Sequence, residues 1–129
     1  MKQTVIPQFR ITDAGRSLAF YREGLGFAVD WEHRFEPGFP VFMQLTRNGQ
    51  SIYLTEHAGD CEVGGAAYFI VADVDAYHSD FVAQGIIHIH IHPPEDTPWG
   101  TREMGVIDPD GNRLRFASHN SAMEPTNAP

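Results

Sequence analysis

The sequence repeats one local pattern at an interval of 60 residues, and this repeat constrains the fold more than any other feature. Asp13 precedes a segment with an apolar stripe at helical spacing, and Asp73 precedes a second such segment. Aspartate is a preferred N-cap residue because its carboxylate accepts hydrogen bonds from the first free amides of a helix. Tyr21 and Phe81 keep the same interval. The repeat predicts two copies of one structural unit.

The segments around the two helices are predicted to be strands. Apolar and polar residues alternate there, which favours half-buried strands. Each half of the chain therefore reads as a βαβββ unit. The predicted strands lie at residues 4–11, 27–34, 40–47 and 50–57 in the first half, and at residues 66–72, 87–92, 101–107 and 112–117 in the second half.

The chain divides into modules at a glycine-bearing segment. We expect residues 1–57 to form the first βαβββ module, 58–65 a connector, 66–117 the second module and 118–129 a flexible tail. Two such modules side by side predict an α+β fold. Its curved mixed sheet would carry the helices outside and a concave ligand groove inside.

A tight turn joins two predicted strands near the end of the chain. In Asp108-Pro109-Asp110-Gly111, the proline fixes φ at the second turn position, and the glycine can take the positive φ that closes a hairpin with a bulge. Short acidic side chains in turns satisfy backbone donors. We therefore expect a hairpin here, and we interpret the two aspartates as turn residues and not as a catalytic pair.

Two stretches of the sequence carry a resemblance to a known family. The first runs from Ile11 to Phe27, and the second runs from Pro98 through Trp99 to Phe116. Together they resemble the vicinal oxygen chelate superfamily, which contains glyoxalases, dioxygenases and bleomycin resistance proteins. The second stretch is most similar to the bleomycin-binding branch. The resemblance implies the same paired βαβββ fold and a homodimer in which both chains complete each groove.

Composition and charge restrict the partners. The formal net charge is −8, and Lys2 is the only lysine, so the chain does not favour nucleic acid or an anionic membrane and can accept a cationic partner. Cys61 is the only cysteine, which excludes a disulfide within the chain. A charged-then-apolar leader and an apolar run of about 18 residues are both missing, so a cytoplasmic location is expected.

The resemblance also implies where the metal ion of the enzymes in this superfamily would lie. The corresponding positions here are Ile6, Tyr53, Ala67 and Arg115. None of the four offers the carboxylate or imidazole that such an ion requires, and an arginine would repel it. We therefore expect a metal-free site without a cofactor, which disfavours chemistry that depends on the ion.

A second metal hypothesis comes from three alternating histidines. His88, His90 and His92 would share one face of a strand, with neighbouring imidazoles about 6–7 Å apart, which is far for one ion. A polar strand face is the favoured interpretation. The alternative is a metal-dependent glyoxalase-like or dioxygenase-like enzyme acting on a small oxygenated substrate. Its ion would be held by this histidine face or by Glu56 and His57.

Aromatic residues supply the remaining candidate site. Phe20, Tyr21, Tyr77 and Phe81 lie on the predicted helices and are expected in the core. Other aromatics fall on strands or loops that line the concavity in the resembling proteins, where stacking contributes about 0.5–1.5 kcal/mol per ring pair beyond burial. Trp99 is favoured because it lies in a polar, proline-rich loop. The predicted ligand-binding residues are Trp31, Phe39, His57, Tyr68, Trp99 and Glu103.

These features predict a binding protein in preference to an enzyme. The chain would confer antibiotic resistance by sequestering a small, cationic, planar ligand such as bleomycin in a dimeric aromatic groove, without breaking a bond. Acidic side chains near the groove would attract the cationic part of the ligand, mainly by raising the encounter rate. Besides Glu103, these acidic residues are Glu56, Asp60, Glu95 and Asp96.

Overall fold

Both halves of the chain build a four-stranded mixed sheet and one helix. The computed structural model describes residues 3–85 and 93–120. The predicted α+β fold with two tandem modules is confirmed. The first module consists of β1 (Gln8–Arg10), α1 (Ala14–Leu18) with a π-helical continuation (Ala19–Gly24), β2 (Ala28–His33), β3 (Phe42–Arg47) and β4 (Gln50–Thr55). The second module consists of β5 (Ala66–Ile70), α2 (Val74–Ala83), β6 (Glu95–Asp96), β7 (Thr101–Ile107) and β8 (Arg113–His119).

The two sheets have the same strand order. The first sheet is ordered β1-β4-β3-β2, and the second is ordered β5-β8-β7-β6. In each sheet the first and last strands of the module pair in parallel, while the remaining pairs are antiparallel. The strands thus repeat one topology, as the 60-residue interval predicts.

Both helices begin where the sequence predicts. The Asp13 side chain accepts a hydrogen bond from the Arg16 amide at 3.0 Å, and Asp73 accepts one from the Ala76 amide at 3.2 Å. These bonds satisfy amides that have no partner within the helix. Among the described residues, no helix is both long enough and apolar enough to cross a membrane.

Residues with positive φ form two hairpin turns. Asn48 (φ 49°) and Gly49 (φ 79°) close a two-residue hairpin between β3 and β4, a loop type that requires positive φ at both positions. Gly111 (φ 86°) turns the chain between β7 and β8, which confirms the predicted hairpin at residues 108–111. Both turns place adjacent strands in the register that buries one face of each sheet.

One core joins the two modules. The Phe27 and Phe69 rings, from different modules, lie 6.4 Å apart. Tyr21, Tyr77 and Phe81 are buried as predicted, and Phe20 packs against the core from its edge. The buried core contains Phe9, Ile11, Tyr21, Leu25, Phe27, Val41, Met43, Leu45, Ile52 and Leu54 from the first module and Phe69, Val74, Tyr77, Phe81, Met104, Val106, Leu114 and Phe116 from the second.

The fully buried Asn112 bonds to the other module and to the connector. Its side-chain amide donates to the Arg10 carbonyl at 2.9 Å. Its side-chain oxygen accepts from the amides of Gly64 at 3.0 Å and Gly65 at 2.9 Å. A buried side chain with all of these partners fixes the relative position of three backbone segments.

Asp108 completes this network from the start of the turn. Its carboxylate accepts from the amides of Asp110 and Asn112, each at 2.8 Å, and from the Tyr21 hydroxyl at 2.7 Å. Burial, followed by the charge of Asp108, raises the pKa of Tyr21 well above its ordinary value. The carboxylates of this turn are therefore structural acceptors, as predicted.

Several boundaries differ from the predicted ones. β1 begins at Gln8 and not at residue 4, because Pro7 has no amide hydrogen for the strand ladder. β8 continues through His119, so the start of the predicted tail belongs to a strand. The predicted strand at 87–92 and the segment 121–129 lie outside the described residues.

Candidate functional site

The second sheet has one face on the core and one open face. Leu114 and Phe116 of β8 are buried, while Arg115 between them has a side chain that is 52% exposed. Tyr68 of β5 is the register partner of Arg115 and is 54% exposed. Alternation along the strands therefore places Tyr68, Arg115 and Glu103 on the same open face.

Glu103 is a buried carboxylate that organises this face. It is only 4% exposed. One of its oxygens accepts from the Tyr68 hydroxyl at 2.8 Å. The other accepts from the Trp99 indole N–H at 3.1 Å and from the Thr101 hydroxyl at 2.7 Å, while Arg115 Nη1 lies 3.8 Å from the first oxygen. Two exposed aromatic rings are thus held in place by one buried charge.

The hydrogen bonds shift the pKa values of Glu103 and Tyr68 further from neutrality. Burial alone would raise the pKa of Glu103, but the hydrogen bonds from Thr101, Tyr68 and Trp99 together with the charge of Arg115 outweigh it and lower the pKa below its ordinary value. The bond to Glu103 is the main reason that the pKa of Tyr68 is raised. At neutral pH the pair is a carboxylate and a neutral phenol.

An open cavity of about 350 Å³ adjoins this cluster. The loop from Thr97 to Trp99 forms one wall, and the Trp99 ring is 60% exposed. Glu95 and Asp96 of β6 lie at the rim. Asp96 is already engaged by Arg102 at 3.3 Å. The cavity therefore presents aromatic surface with charged groups at its border.

The open face of the first sheet is built differently. Trp31, Phe42 and Tyr53 form a cluster in which the ring centroids lie 4.8–5.9 Å apart. Trp31 is 41% exposed. The rings here pack on one another, and no buried carboxylate among the described residues bonds to them. This face offers a broad aromatic surface.

A second group of rings extends the first face. His33 and His57 each contact the Phe35 ring edge to face, at centroid distances of 4.8 and 6.0 Å. A cavity of about 350 Å³ lies here, bordered also by Gln8 and Asp60. His57 therefore lies at a cavity.

The six predicted ligand-binding residues fall into separate groups. Trp31 and His57 belong to the first open face, and Phe39 is half exposed in the loop before β3. Within residues 3–85 and 93–120, no hydrogen bond, ion pair or ring contact joins this group to the second one. The second group consists of Tyr68, Trp99 and Glu103.

The four positions that correspond to the metal ligands of the related enzymes do not lie together on one surface. Tyr53 and Arg115 lie on the two open faces. Ala67, however, is the register partner of Leu114 and packs against the core, which corrects its assignment to the groove. The position beside Arg115 is occupied by Tyr68. Ile6 precedes β1 and is half-buried.

Most of the predicted acidic attractors have structural partners. The two oxygens of Glu56 accept from the amides of Ala14 at 2.8 Å and Val41 at 2.9 Å. Asp60 accepts from the Thr55 hydroxyl at 2.8 Å. Both Glu56 oxygens are therefore already bonded to backbone amides, which gives this side chain a structural role.

The described part of the chain contains no group of three or more His, Cys, Asp or Glu side chains placed to hold a metal ion. His88, His90 and His92 lie outside the described residues. The residues at the open-face positions are a phenol and a guanidinium at Tyr68 and Arg115, which are poor ligands for a divalent ion.

Sequence reasoning missed two contributors to the second face. Thr101 supplies the buried hydroxyl that bonds to Glu103. Arg115 was identified only as an obstacle to a metal, yet its guanidinium borders the cavity. The alternation of β7 was available as a signal, since Thr101 and Glu103 share one face of the strand.

Two tandem modules, each with a four-stranded mixed sheet, are the architecture of the glyoxalase and bleomycin resistance fold. A family model described as glyoxalase superfamily protein matches residues 1–122, and the chain belongs to this superfamily. A search of curated proteins gives no match.

Solved structures share the fold at low sequence identity. TnmS3, an antibiotic binding protein from Streptomyces sp. CB03234, is 24% identical, with a TM-score of 0.70 over 93% of this chain and 99% of that chain. A bleomycin resistance determinant encoded on transposon Tn5 is 24% identical, with a TM-score of 0.74 over 92% and 98%. A bleomycin-binding protein complexed with bleomycin is 24% identical, with a TM-score of 0.73 over 92% and 100%.

Proposed function

We propose that this protein binds a planar, cationic antibiotic of the bleomycin type and holds it without chemical change. The observation that carries the proposal is the second open face, where the exposed rings of Trp99 and Tyr68 are both bonded to the buried carboxylate of Glu103. Exposed aromatic surface of this kind is a frequent feature of ligand sites.

Preorganisation explains why these rings suit a sequestering protein. A side chain that is already ordered loses less conformational entropy when a ligand arrives, which otherwise costs about 0.5–1.5 kcal/mol per side chain. The Trp99 ring is held through its N–H and the Tyr68 ring through its hydroxyl. Both residues remain more than half exposed, which leaves ring surface for stacking.

Charge at the rim supports a cationic ligand. The carboxylate of Glu103 is offset by Arg115, and that of Asp96 by Arg102. Glu95 is exposed on the edge strand β6 and, among the described residues, its carboxylate has no ion pair. The net charge of −8 adds a long-range attraction for cations.

A homodimer is part of the proposal. Trp31 and Trp99 lie on different open faces, and within the described part of one chain no hydrogen bond, ion pair or ring contact joins them. A two-fold symmetric pair can set the first face of one protomer against the second face of its partner, and it does so twice. Each groove would then combine the ring cluster of one chain with the carboxylate-held rings of the other.

Isothermal titration of metal-free bleomycin into chelator-treated, untagged protein tests this function. We expect one drug per chain and a submicromolar dissociation constant, which corresponds to about −8.2 kcal/mol or stronger. Quenching of Trp31 and Trp99 fluorescence should accompany the heat. No heat and no quenching would rule out bleomycin as the ligand.

Two further measurements address the remaining parts of the proposal. Light scattering after gel filtration should give the mass of a dimer, and a monomer would contradict the shared groove. Elemental analysis of the same untagged fractions should give no stoichiometric metal. An ion retained through gel filtration would favour the metal-dependent enzyme instead.

A further inference from the structure

Gly105 is a glycine in the interior of the seven-residue strand β7. A glycine at such a place weakens a strand because it adds backbone entropy to the unfolded chain and has no side chain to pack. Glycines inside strands often mark a bulge, a bend or a place where a ligand or another backbone approaches closely. The register of β7 with β8 is continuous through Gly105, which excludes a bulge here.

The backbone does not require glycine at this position. Gly105 is not among the glycines with positive φ. A Cβ atom added to it would meet the Leu114 carbonyl oxygen at 3.8 Å and Arg115 Cγ at 3.9 Å, which are ordinary van der Waals distances. An alanine would fit the folded chain without strain. The missing side chain is therefore explained neither by conformation nor by crowding.

The missing side chain leaves space on the candidate site. Gly105 is the register partner of Arg115, and Arg115 is in turn the partner of Tyr68. Gly105 also shares a face with Glu103, two residues earlier on the same strand. The gap lies beside the residues that border the Trp99 cavity.

Arg115 provides a hydrogen-bond donor next to this gap. Its side chain is 52% exposed and lies 3.8 Å from Glu103. Within the described residues its guanidinium donates no hydrogen bond. A molecule lying over Gly105 would therefore meet unpaired N–H groups at its edge, and a carbonyl or similar acceptor is the group that satisfies them.

We propose that Gly105 determines specificity by admitting the edge of a planar aromatic ligand, whose hydrogen-bond acceptor meets Arg115. The inference rests on the proposed function of the same site, and it adds a requirement on ligand shape and chemistry. Trp99 and Tyr68 would stack on the ligand, and the open sheet surface at Gly105 would receive its rim. A side chain here would fill the space that the rim needs.

The test compares Gly105→Ala and Gly105→Val with the wild type. Gly15→Ala is the matched control, since Gly15 is exposed on α1, has no positive φ and would place its Cβ 3.4 Å from Asp13 Oδ1. Two probes are titrated, namely metal-free bleomycin and the anionic dye 8-anilinonaphthalene-1-sulfonate, which offers a flat naphthalene ring and a sulfonate acceptor. Urea unfolding of every variant is measured in parallel.

We expect all three variants to unfold at the same or a higher urea concentration than the wild type. Affinity should fall by a few-fold in Gly105→Ala and by about tenfold or more in Gly105→Val, since methyl groups in a pocket have effects of this order. Gly15→Ala should bind as the wild type does. If Gly105→Val does not fold, the alanine variant decides the result.

Failure of this inference is distinguishable from failure of the proposed function. If the wild-type protein binds the dye but not bleomycin, the proposed bleomycin-type ligand is wrong. Titration of the Gly105 variants with the dye then still tests the role of Gly105. Unchanged affinity in the stable Gly105→Ala and Gly105→Val variants overturns the role of Gly105 while bleomycin binding stands. A wild type that binds neither probe overturns both.

Discussion

The two open faces of this molecule differ although their sheets share one strand order. On the first face, the rings of Trp31, Phe42 and Tyr53 support one another. On the second face, Trp99 and Tyr68 are held by a buried carboxylate. A repeated topology therefore fixes where a surface lies, while a few side chains decide how rigid and how charged that surface is.

The buried carboxylate of the second face carries a desolvation cost that the first face does not have. A carboxylate such as Glu103 loses hydration when it is buried, and the hydrogen bonds and the neighbouring cation must offset that loss. An aromatic cluster has no such requirement. The second face is therefore the one that a change in the charge or the hydrogen bonds of Glu103 should disturb.

The largest effect is expected from Trp99→Ala. Removing the exposed indole should weaken bleomycin binding by about 2 kcal/mol or more, as truncation of an aromatic anchor often does. Trp31→Ala, on the first face, should cost about 1 kcal/mol or less because its neighbours keep much of the aromatic surface. Titration calorimetry of both variants gives the comparison. Equal losses of affinity in the two variants would contradict the distinction between the faces. An unchanged affinity in Trp99→Ala would show that Trp99 is not part of the site.

A smaller effect is expected from Glu103→Gln. The amide keeps the size of the side chain but lacks the charge, and its NH₂ group cannot accept from the Tyr68 hydroxyl or the Trp99 indole. Binding should weaken by about 1–2 kcal/mol because the rings lose their preorganisation. Near-ultraviolet circular dichroism should show the loss of a fixed Trp99 environment. Wild-type dichroism with reduced affinity would instead make Glu103 a direct ligand contact.

The pH dependence of stability should report on Glu103 and Tyr68 of the second face. The pKa of Glu103 is lowered, so its stabilising effect is complete above its unfolded pKa of about 4.3 and is lost as the pH falls through the lower folded value. The pKa of Tyr68 is raised, so its contribution to the free energy of unfolding is complete below its unfolded pKa of about 10. That contribution is lost as the pH rises through the folded value.

Trp99 emission in a Trp31→Phe background reports this window. It should stay constant across neutral pH and change at both ends. The control is Trp31 emission in a Trp99→Phe background, which should not follow the titration of Glu103. An acid transition that persists in Glu103→Gln would assign it to another group.

The smallest effect is expected from Glu95→Gln at the rim. An exposed charge of this kind contributes at most about 1 kcal/mol, mainly through the association rate. Stopped-flow fluorescence should show slower association at low salt, with the difference vanishing at high salt. Asp60→Asn, at the first face, is the matched charge removal. A larger slowing in Asp60→Asn would place the cation on the first face.

Much of the fold could be predicted from local chemistry. Asp13 and Asp73 mark helix starts because a capping carboxylate acts over only a few residues of sequence. Asn48-Gly49 and the turn at Gly111 were predictable for the same reason, since positive φ restricts the residue type.

The site was less predictable because it depends on contacts between distant residues. Ala67 was assigned to the wrong face, since a shift of one residue in a strand exchanges its two faces. The bond from Tyr68 to Glu103 joins residues 35 positions apart, and nothing in either local sequence indicates it. Gly105 was not singled out, because only the space around it shows that an alanine would fit.

The turn around Asn112 has a further consequence. Its side chain bonds to Arg10 of the first module and to the connector at Gly64 and Gly65. The turn motif of the second module therefore holds the two halves of the chain together. This hydrogen-bond network does not depend on which side chains the two open faces carry. None of these bonds uses a side chain of the two open faces, so the turn motif indicates how the halves of the chain are joined and does not identify the ligand.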